Sequence, residues 1–266
     1  MKISVIIPTY KPQDYLWECL DSLVRQTISK DDYEVILVLN GCGEPWKSLI
    51  QEYIDNQMQD LQVNFIQTDF GGVSNARNLA LNVAQGEYVT FIDDDDFVSD
   101  TFLEELYEIA TPDTISLCYP YAFIDGDMSQ IPYSITHAYE KLSVLGRQLY
   151  PRSRKYFSGP WMKLLHKSFI QGKKFDVRFS NGEDSLFMFL CSDRFSYVNY
   201  TSVNAIYYRR IRENSACTKK RSIKAKFLNG CLLIAAYTEI YLKDIMHYSL
   251  SFYFTRILGT CRAIFH

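Results

Sequence analysis

The chain of 266 residues lacks any apolar run approaching the roughly 18 residues that a membrane-spanning helix needs. The longest run of interest, Cys231 to Tyr237, has charged residues at modest distance on both sides, Lys226 and Glu239. At the amino terminus the apolar stretch from Ile3 to Ile7 stops at Pro8, too short for the core of a secretory signal. Closely spaced cysteine pairs are missing too. The seven cysteines, at positions 19, 42, 118, 191, 217, 231 and 261, never form CxxC, which argues against a disulfide framework and for a reducing compartment. Nor is there an excess of positive charge. A net charge of -3 disfavours a nonspecific nucleic-acid binder, so no nucleic-acid partner is expected. It leaves room for a small polyanion held by a few local cations and a metal, because binding follows the local field. With internal repeats and low-complexity tracts also absent, a cytoplasmic globular protein is expected, with peripheral contact at the cytoplasmic face of a membrane left open.

What is present is a hydrophobic fraction of 47%, enough for a substantial core, in an alternation of strands and helices. Residues 2–7 read as a buried strand ended by Pro8, and Leu16, Leu20, Leu23 and Val24 share one face of a helix over about 13–26. Strands are expected at 34–39, 61–66 and 88–92, with a helix carrying Trp46, Leu49, Ile50, Tyr53 and Ile54 between the first two. A further helix should follow a cap at Ser74, and another should cover 100–109. One strand is expected over 115–121, after which turns near Gly126, Pro132, Gly159 and Pro160 loosen the pattern. The end of the chain, about 219–265, has no strong breaker except Gly230 and Gly259 and reads as helical. The fold class is therefore α/β, a mostly parallel central sheet flanked by helices, with a helical carboxyl-terminal tail.

The chemistry centres on Asp93-Asp94-Asp95-Asp96, which the strand at 88–92 delivers at its carboxyl end. Open α/β sheets place ligands there. Mg²⁺ and Mn²⁺ prefer carboxylate and phosphate oxygens, so such a cluster can hold a divalent ion against a diphosphate. Taken alone, the run also fits a solvated turn or a phosphate-accepting aspartate. A second acidic pair, Glu183-Asp184, opens an apolar helix; two acids there suit the helix dipole, and one of them could equally take a proton from a hydroxyl.

Three segments resemble family 2 glycosyltransferases of the GT-A fold, across roughly residues 2–215: Ser4-Val5-Ile6-Ile7-Pro8-Thr9-Tyr10, Gly72-Val73-Ser74-Asn75-Ala76-Arg77-Asn78, and Gly86 through Asp96. They stand in the family's order and spacing. The resemblance implies a GT-A, Rossmann-like domain over 1–215, with a nucleotide-sugar half at 1–110, an acceptor half at 111–215, and a helical extension at 216–266. It implies an inverting transferase that moves a hexosyl or N-acetylhexosaminyl group from a nucleotide-diphosphate donor, a UDP-sugar favoured. The acceptor would be a saccharide or lipid-linked saccharide of surface polysaccharide synthesis, and the cofactor Mn²⁺ or Mg²⁺.

Residue by residue, the resemblance places Pro8, Thr9 and Tyr10 at the nucleoside, Arg77, Asp93 and Asp94 beside the donor, and Asp95 on the metal with Asp96 as neighbouring support on the acceptor side. Asp184 is the expected general base, Glu183 its orienting neighbour, and Trp161 a platform for the acceptor sugar. Arg212 and Ser215 would close over the diphosphate. The sequence departs from the family at Val38-Leu39-Asn40-Gly41-Cys42, where an acid that reads uracil is common. Asn40 keeps a polar group for the base, and Leu39 removes a carboxylate. No histidine lies in the 207–215 segment, where some relatives carry an extra metal ligand, so Asp95, phosphates and water would fill the metal shell. Two other readings fit parts of the pattern: a metal-dependent nucleotidyltransferase, or a noncatalytic nucleotide- or carbohydrate-binding module.

Overall fold

The structure is a computed structural model and describes residues 1–212 and 222–265. In the first half, β1 (Ile3–Thr9), α1 (Tyr15–Val24), β2 (Tyr33–Asn40), α2 (Trp46–Gln57), β3 (Gln62–Thr68), α3 (Val73–Val83) and β4 (Tyr88–Phe91) alternate. β5 (Phe97–Val98) and α4 (Phe102–Glu108) follow the acidic run. These bounds lie within a few residues of those expected. Both β1 and β2 are buried along their whole length, which is why they read as continuous apolar runs rather than as alternating ones. Ser74, expected as a cap, lies instead inside the first turn of α3, and Gly72 at φ 117° occupies the cap position.

The second half holds β6 (Thr114–Leu117), β7 (Tyr119–Ile124), β8 (Asp127–Gln130), α5 (Ser134–Leu142), β9 (Gln148–Leu149), β10 (Lys163–His166) and α6 (Lys167–Ile170). It continues with α7 (Glu183–Cys191), β11 (Tyr197–Tyr200), β12 (Ile206–Ile211), α8 (Ile223–Lys243) and α9 (Leu250–Phe265). The single strand expected over 115–121 is two strands. At Cys118 the chain leaves one sheet for another, a change that hydrophobicity alone does not mark because both sides stay apolar.

The large sheet runs β3-β2-β1-β4-β10-β6-β11-β9, and a smaller one runs β5-β12-β7-β8. From β3 to β4 every pairing is parallel; β10 then enters antiparallel to both β4 and β6. The order 3-2-1-4 reverses direction between β1 and β4, so their carboxyl ends open a crevice, the position where open α/β sheets bind ligands. β12, in the small sheet, passes its arginines beneath that crevice.

The terminal helices pack on α7. Phe189 stacks against Tyr248 and meets Tyr237 edge-on, the Ser185 hydroxyl lies 2.6 Å from that of Tyr237, and Leu233, Tyr237 and Phe252 are buried. Gly182, in left-handed conformation at φ 87°, begins α7; a Cβ there would come within 2.6 Å of Leu233. The close approach of α8 to the start of α7 thus needs a glycine. The opposite side of the tail leaves Phe227, Leu228, Leu232, Ile245 and Phe254 exposed. No helix among the described residues is long and apolar enough to cross a membrane.

One buried cation organises the loop between the halves. Lys163, fully buried on β10, donates from Nζ to the carbonyl oxygens of Tyr156, Gly159 and Trp161 at 2.6–2.7 Å. An ammonium has three donors, and all three are used. Substituting Lys163→Met keeps the apolar stem but strands three buried carbonyls, so stability is expected to fall by about 2–4 kcal/mol. Urea unfolding measures this, and an unchanged midpoint would contradict the role.

Candidate active site

The crevice encloses about 870 Å³. Its floor is the carboxyl ends of β1, β2 and β4, one wall is the amino-terminal end of α3, the opposite wall is the first turn of α7, and β12 closes the base. Pro8, Thr9, Tyr10, Asn40, Arg77, Asp93, Asp94, Asp95, Asp96, Trp161, Glu183, Asp184 and Arg212 all line it. Thirteen residues from seven separate segments of sequence thereby meet in one cavity. Ser215 lies outside the described residues.

Arg77 joins the two acidic segments. It is 2% exposed, and its guanidinium donates to Asp184 at 2.5 Å and to Asp93 at 2.9 Å. Burial opposes its charge, yet Asp184 and Asp93 together hold its pKa above the usual arginine value. The side chain lies under the Phe175 ring, 5.3 Å from its centroid. Asp184 is itself largely buried. Burial, reinforced by Glu183 and Asp93 and opposed by Arg77, pushes its pKa up to about 7. Glu183, buried beside it, starts the same helical turn.

On the other side, the turn after β4 is tightly held. The Asp96 N–H donates to the Asp93 carbonyl at 3.0 Å, and the Asp93 N–H donates to the Tyr207 hydroxyl at 3.2 Å. Asp94 accepts from the Thr9 hydroxyl at 2.5 Å; burial is the main force raising its pKa to about 7. Asp95 accepts from Arg212 Nε and Nη2 at 2.9 and 2.6 Å. Asp96 is buried and accepts from the Arg210 backbone N–H at 2.8 Å, so its carboxylate faces the acidic cluster.

One carboxylate oxygen from each of Asp93, Asp95 and Asp96 lies within 4.8 Å of the others. Burial and mutual repulsion raise the pKa of both Asp95 and Asp96. A hard divalent cation suits that arrangement, because it takes oxygen ligands and removes the repulsion that strains them. The geometry thus brings Asp93 and Asp96 alongside Asp95 as oxygens that could hold one ion together, where the sequence pointed to Asp95 alone.

Asn40 is buried and does two jobs for the backbone: its amide donates to the Thr9 carbonyl at 2.7 Å and accepts from the Gly72 N–H at 2.9 Å. It therefore ties β1, β2 and the α3 entrance together at one end of the crevice. Tyr10, 54% exposed, stands at the mouth, and the neighbouring Leu39 is fully buried in the sheet. Trp161 bridges to Phe91 at the end of β4, and its ring lies where a Cβ on Gly159 would sit, 1.8 Å away. Only glycine admits the indole there.

Two contributors escaped the sequence reading. Arg210 pairs with Glu18 and Asp125 and donates from Nε to the Asp95 carbonyl, fastening the acidic turn to β12. Tyr207, fully buried, holds the Asp93 N–H from the same strand. Their partners lie 85 or more residues away in sequence, so no local pattern marks them. The two-residue period of β12, which sets Arg210 and Arg212 on one face, is the only available signal.

Comparison with known proteins agrees with this architecture. Residues 4–173 match the model for glycosyl transferase family 2. Among curated relatives, glycosyltransferase GlyA of Streptococcus pneumoniae is 27% identical over 226 residues, covering 80% of this chain and 31% of its own length. GlyG of the same species is 30% identical over 190 residues, covering 68% of this chain and 60% of its own. The chain thus spans less than two thirds of either relative. The structure of Staphylococcus aureus TarS 1-349 in complex with UDP-GlcNAc superposes with a TM-score of 0.74 at 23% identity, covering all of this chain and 73% of that one. Mannosyltransferase PcManGT from Pyrobaculum calidifontis, in complex with GDP-Man and Mn²⁺, superposes at 0.62 with 17% identity, covering 99% and 69%. With a GT-A fold and a family match over most of its length, this chain belongs to glycosyltransferase family 2.

Proposed function

We propose that the chain transfers a sugar, with inversion, from a UDP-sugar to a hydroxyl of a saccharide or lipid-linked saccharide in surface polysaccharide synthesis. The observation that carries this is the Arg77 bridge, which sets a base with a pKa near 7 and a three-carboxylate cation site on opposite sides of one crevice. A UDP donor, rather than the GDP-sugar named for PcManGT, is supported by the closer superposition on TarS with UDP-GlcNAc. An acceptor in the cell-surface polymers is supported by relatives such as the poly(ribitol-phosphate) β-N-acetylglucosaminyltransferase TarS, 38% identical over 105 residues. The exposed apolar side chains of the tail support peripheral contact with the cytoplasmic face of a membrane that carries such acceptors.

Asp93, Asp95 and Asp96 would hold Mn²⁺ or Mg²⁺, which supplies charge neutralisation for the departing diphosphate. The amino-terminal end of α3, which opens on the same crevice, presents backbone N–H groups to the diphosphate. Asp184 accepts the proton of the acceptor hydroxyl, whose oxygen bonds to the anomeric carbon as the bond from that carbon to the diphosphate breaks. The nucleoside diphosphate leaves with the bonding electrons. One displacement inverts the centre, and no side chain forms a covalent bond. Arg77 holds the Asp184 carboxylate in place, Glu183 orients it, Trp161 walls the acceptor side, and Arg212 covers the phosphates beside Asp95.

Calorimetric titration with UDP and with GDP, each with and without Mn²⁺, tests the donor assignment. Mn²⁺-dependent UDP binding that weakens by about tenfold or more in Asp95→Ala is expected. A preference for GDP would overturn the base assignment, and a lack of metal-dependent binding to either would overturn the site.

The base assignment has its own signature. Asp184 works only when ionised, so kcat/KM should rise as pH passes upward through about 7 and level off above it. Asp184→Asn should lower kcat by about 10²–10⁴-fold while UDP still binds. A profile flat from about pH 5 to about pH 9 would remove Asp184 from the role.

A further inference from the structure

Beside the donor crevice lies a second cavity of about 550 Å³, between the η-turn segment at 150–158, the start of α7 and the two terminal helices. Its charge is opposite to that of its neighbour. Arg154, Lys155, Arg209, Lys226 and Arg256 line it, and no carboxylate does among the described residues. The donor crevice, in contrast, is lined by the whole acidic run together with Glu183 and Asp184. In a chain whose net charge is -3, a pocket walled by cations of one sign is a local field that the composition conceals.

Two of these cations, Arg256 and Lys155, donate to backbone carbonyls. Arg256 donates to the carbonyl oxygens of Phe157 and Arg154 at 3.1 and 2.7 Å, and its guanidinium lies 4.6 Å from the centroid of the Phe252 ring. Its Nε is buried without a hydrogen-bond partner, and burial lowers its pKa. Lys155 donates to the Ser134 carbonyl at 3.1 Å, and Arg209 lies over the Tyr133 ring. Carbonyls fix Arg256 and Lys155 without cancelling their charge, which is the preparation an anion site requires.

The two cavities communicate. Ser158, Asn181, Gly182 and Arg209 line both, and the first turn of α7 is their shared wall, with Asp184 on the donor side and Ser185 on the basic side. An acceptor whose hydroxyl reaches Asp184 therefore has the basic cavity directly beside it for the rest of its chain. A volume of this size accommodates a few sugar, alditol or phosphate groups, well short of a macromolecule.

We infer that the basic cavity is the acceptor subsite and that it binds the phosphate of a phosphate-bearing acceptor, one repeat or linkage away from the hydroxyl that reacts. The inference rests on the transferase reading above for the identity of the neighbouring crevice. Two sources supply the same chemistry, a phosphodiester-linked polymer and the diphosphate of a lipid-linked saccharide.

The full chain, with its donor crevice filled by UDP and Mn²⁺, is titrated with inorganic phosphate, a synthetic glycerol-phosphate trimer and a short isoprenyl diphosphate. One of the two larger probes is expected to bind, and Arg154→Ala/Lys226→Ala should weaken it by about tenfold or more while UDP affinity stays the same. Binding of the trimer in preference identifies a phosphodiester polymer, and binding of the isoprenyl diphosphate a lipid carrier. The inference is overturned if the double variant binds every probe as the wild type does, if the wild type binds none, or if only inorganic phosphate enters. A chain that fails to bind UDP would sink the transferase reading separately, since the same titration without UDP still reports on the basic cavity through the double variant.

Discussion

A buried guanidinium between two carboxylates is the interaction on which the rest of this structure depends. Arg77 is nearly inaccessible, and such a charge is tolerated inside a protein only when opposite charges and hydrogen bonds replace water. Asp93 comes from the end of a sheet strand and Asp184 from the first turn of a helix in the other half. Satisfying one cation therefore fixes the separation of the two halves and with it the width of the crevice. Removing either acid leaves charge unpaired inside the fold, which makes the bridge costly to alter from any side.

The same logic explains the perturbed acids around it. Four adjacent aspartates would repel one another apart if the turn were free, but hydrogen bonds from Thr9, Arg210 and Arg212, and one from the Asp93 N–H to Tyr207, hold it at fixed geometry. The energy stored in that crowding favours a divalent cation. Asp184 is kept out of the cluster by Arg77, so it experiences burial more than repulsion and its pKa stays in the range where a base is useful near neutrality. On the function proposed above, one side of the crevice would serve metal and the other proton transfer, with a basic cavity behind the α7 turn on the acceptor side.

Much of this was legible in the sequence where the physics is local. β1 and β2, buried on both faces, announce themselves as unbroken apolar runs. The acidic run after β4 stands out because water-facing turns do not usually follow a fully buried strand. What stayed hidden depends on long-range geometry. The division of 115–121 between two sheets leaves no trace in an apolar stretch. Lys163 looks like a surface lysine until three carbonyls converge on it. Asn40 reads as a base-binding group, yet in the fold its amide spans Thr9 and Gly72. The basic cavity draws its cations from segments spread over more than a hundred residues, so only the fold assembles them.

The most direct test is a double-mutant cycle on UDP release from a UDP-sugar, with Arg77→Lys, Asp184→Asn and the pair together. If Arg77 acts by holding Asp184 and Asp93 in one site, the two losses are strongly non-additive, and the double variant is scarcely slower than the worse single one. Losses that multiply independently would mean that the metal-side acids and the base do not share a site organised by Arg77, and would contradict the account.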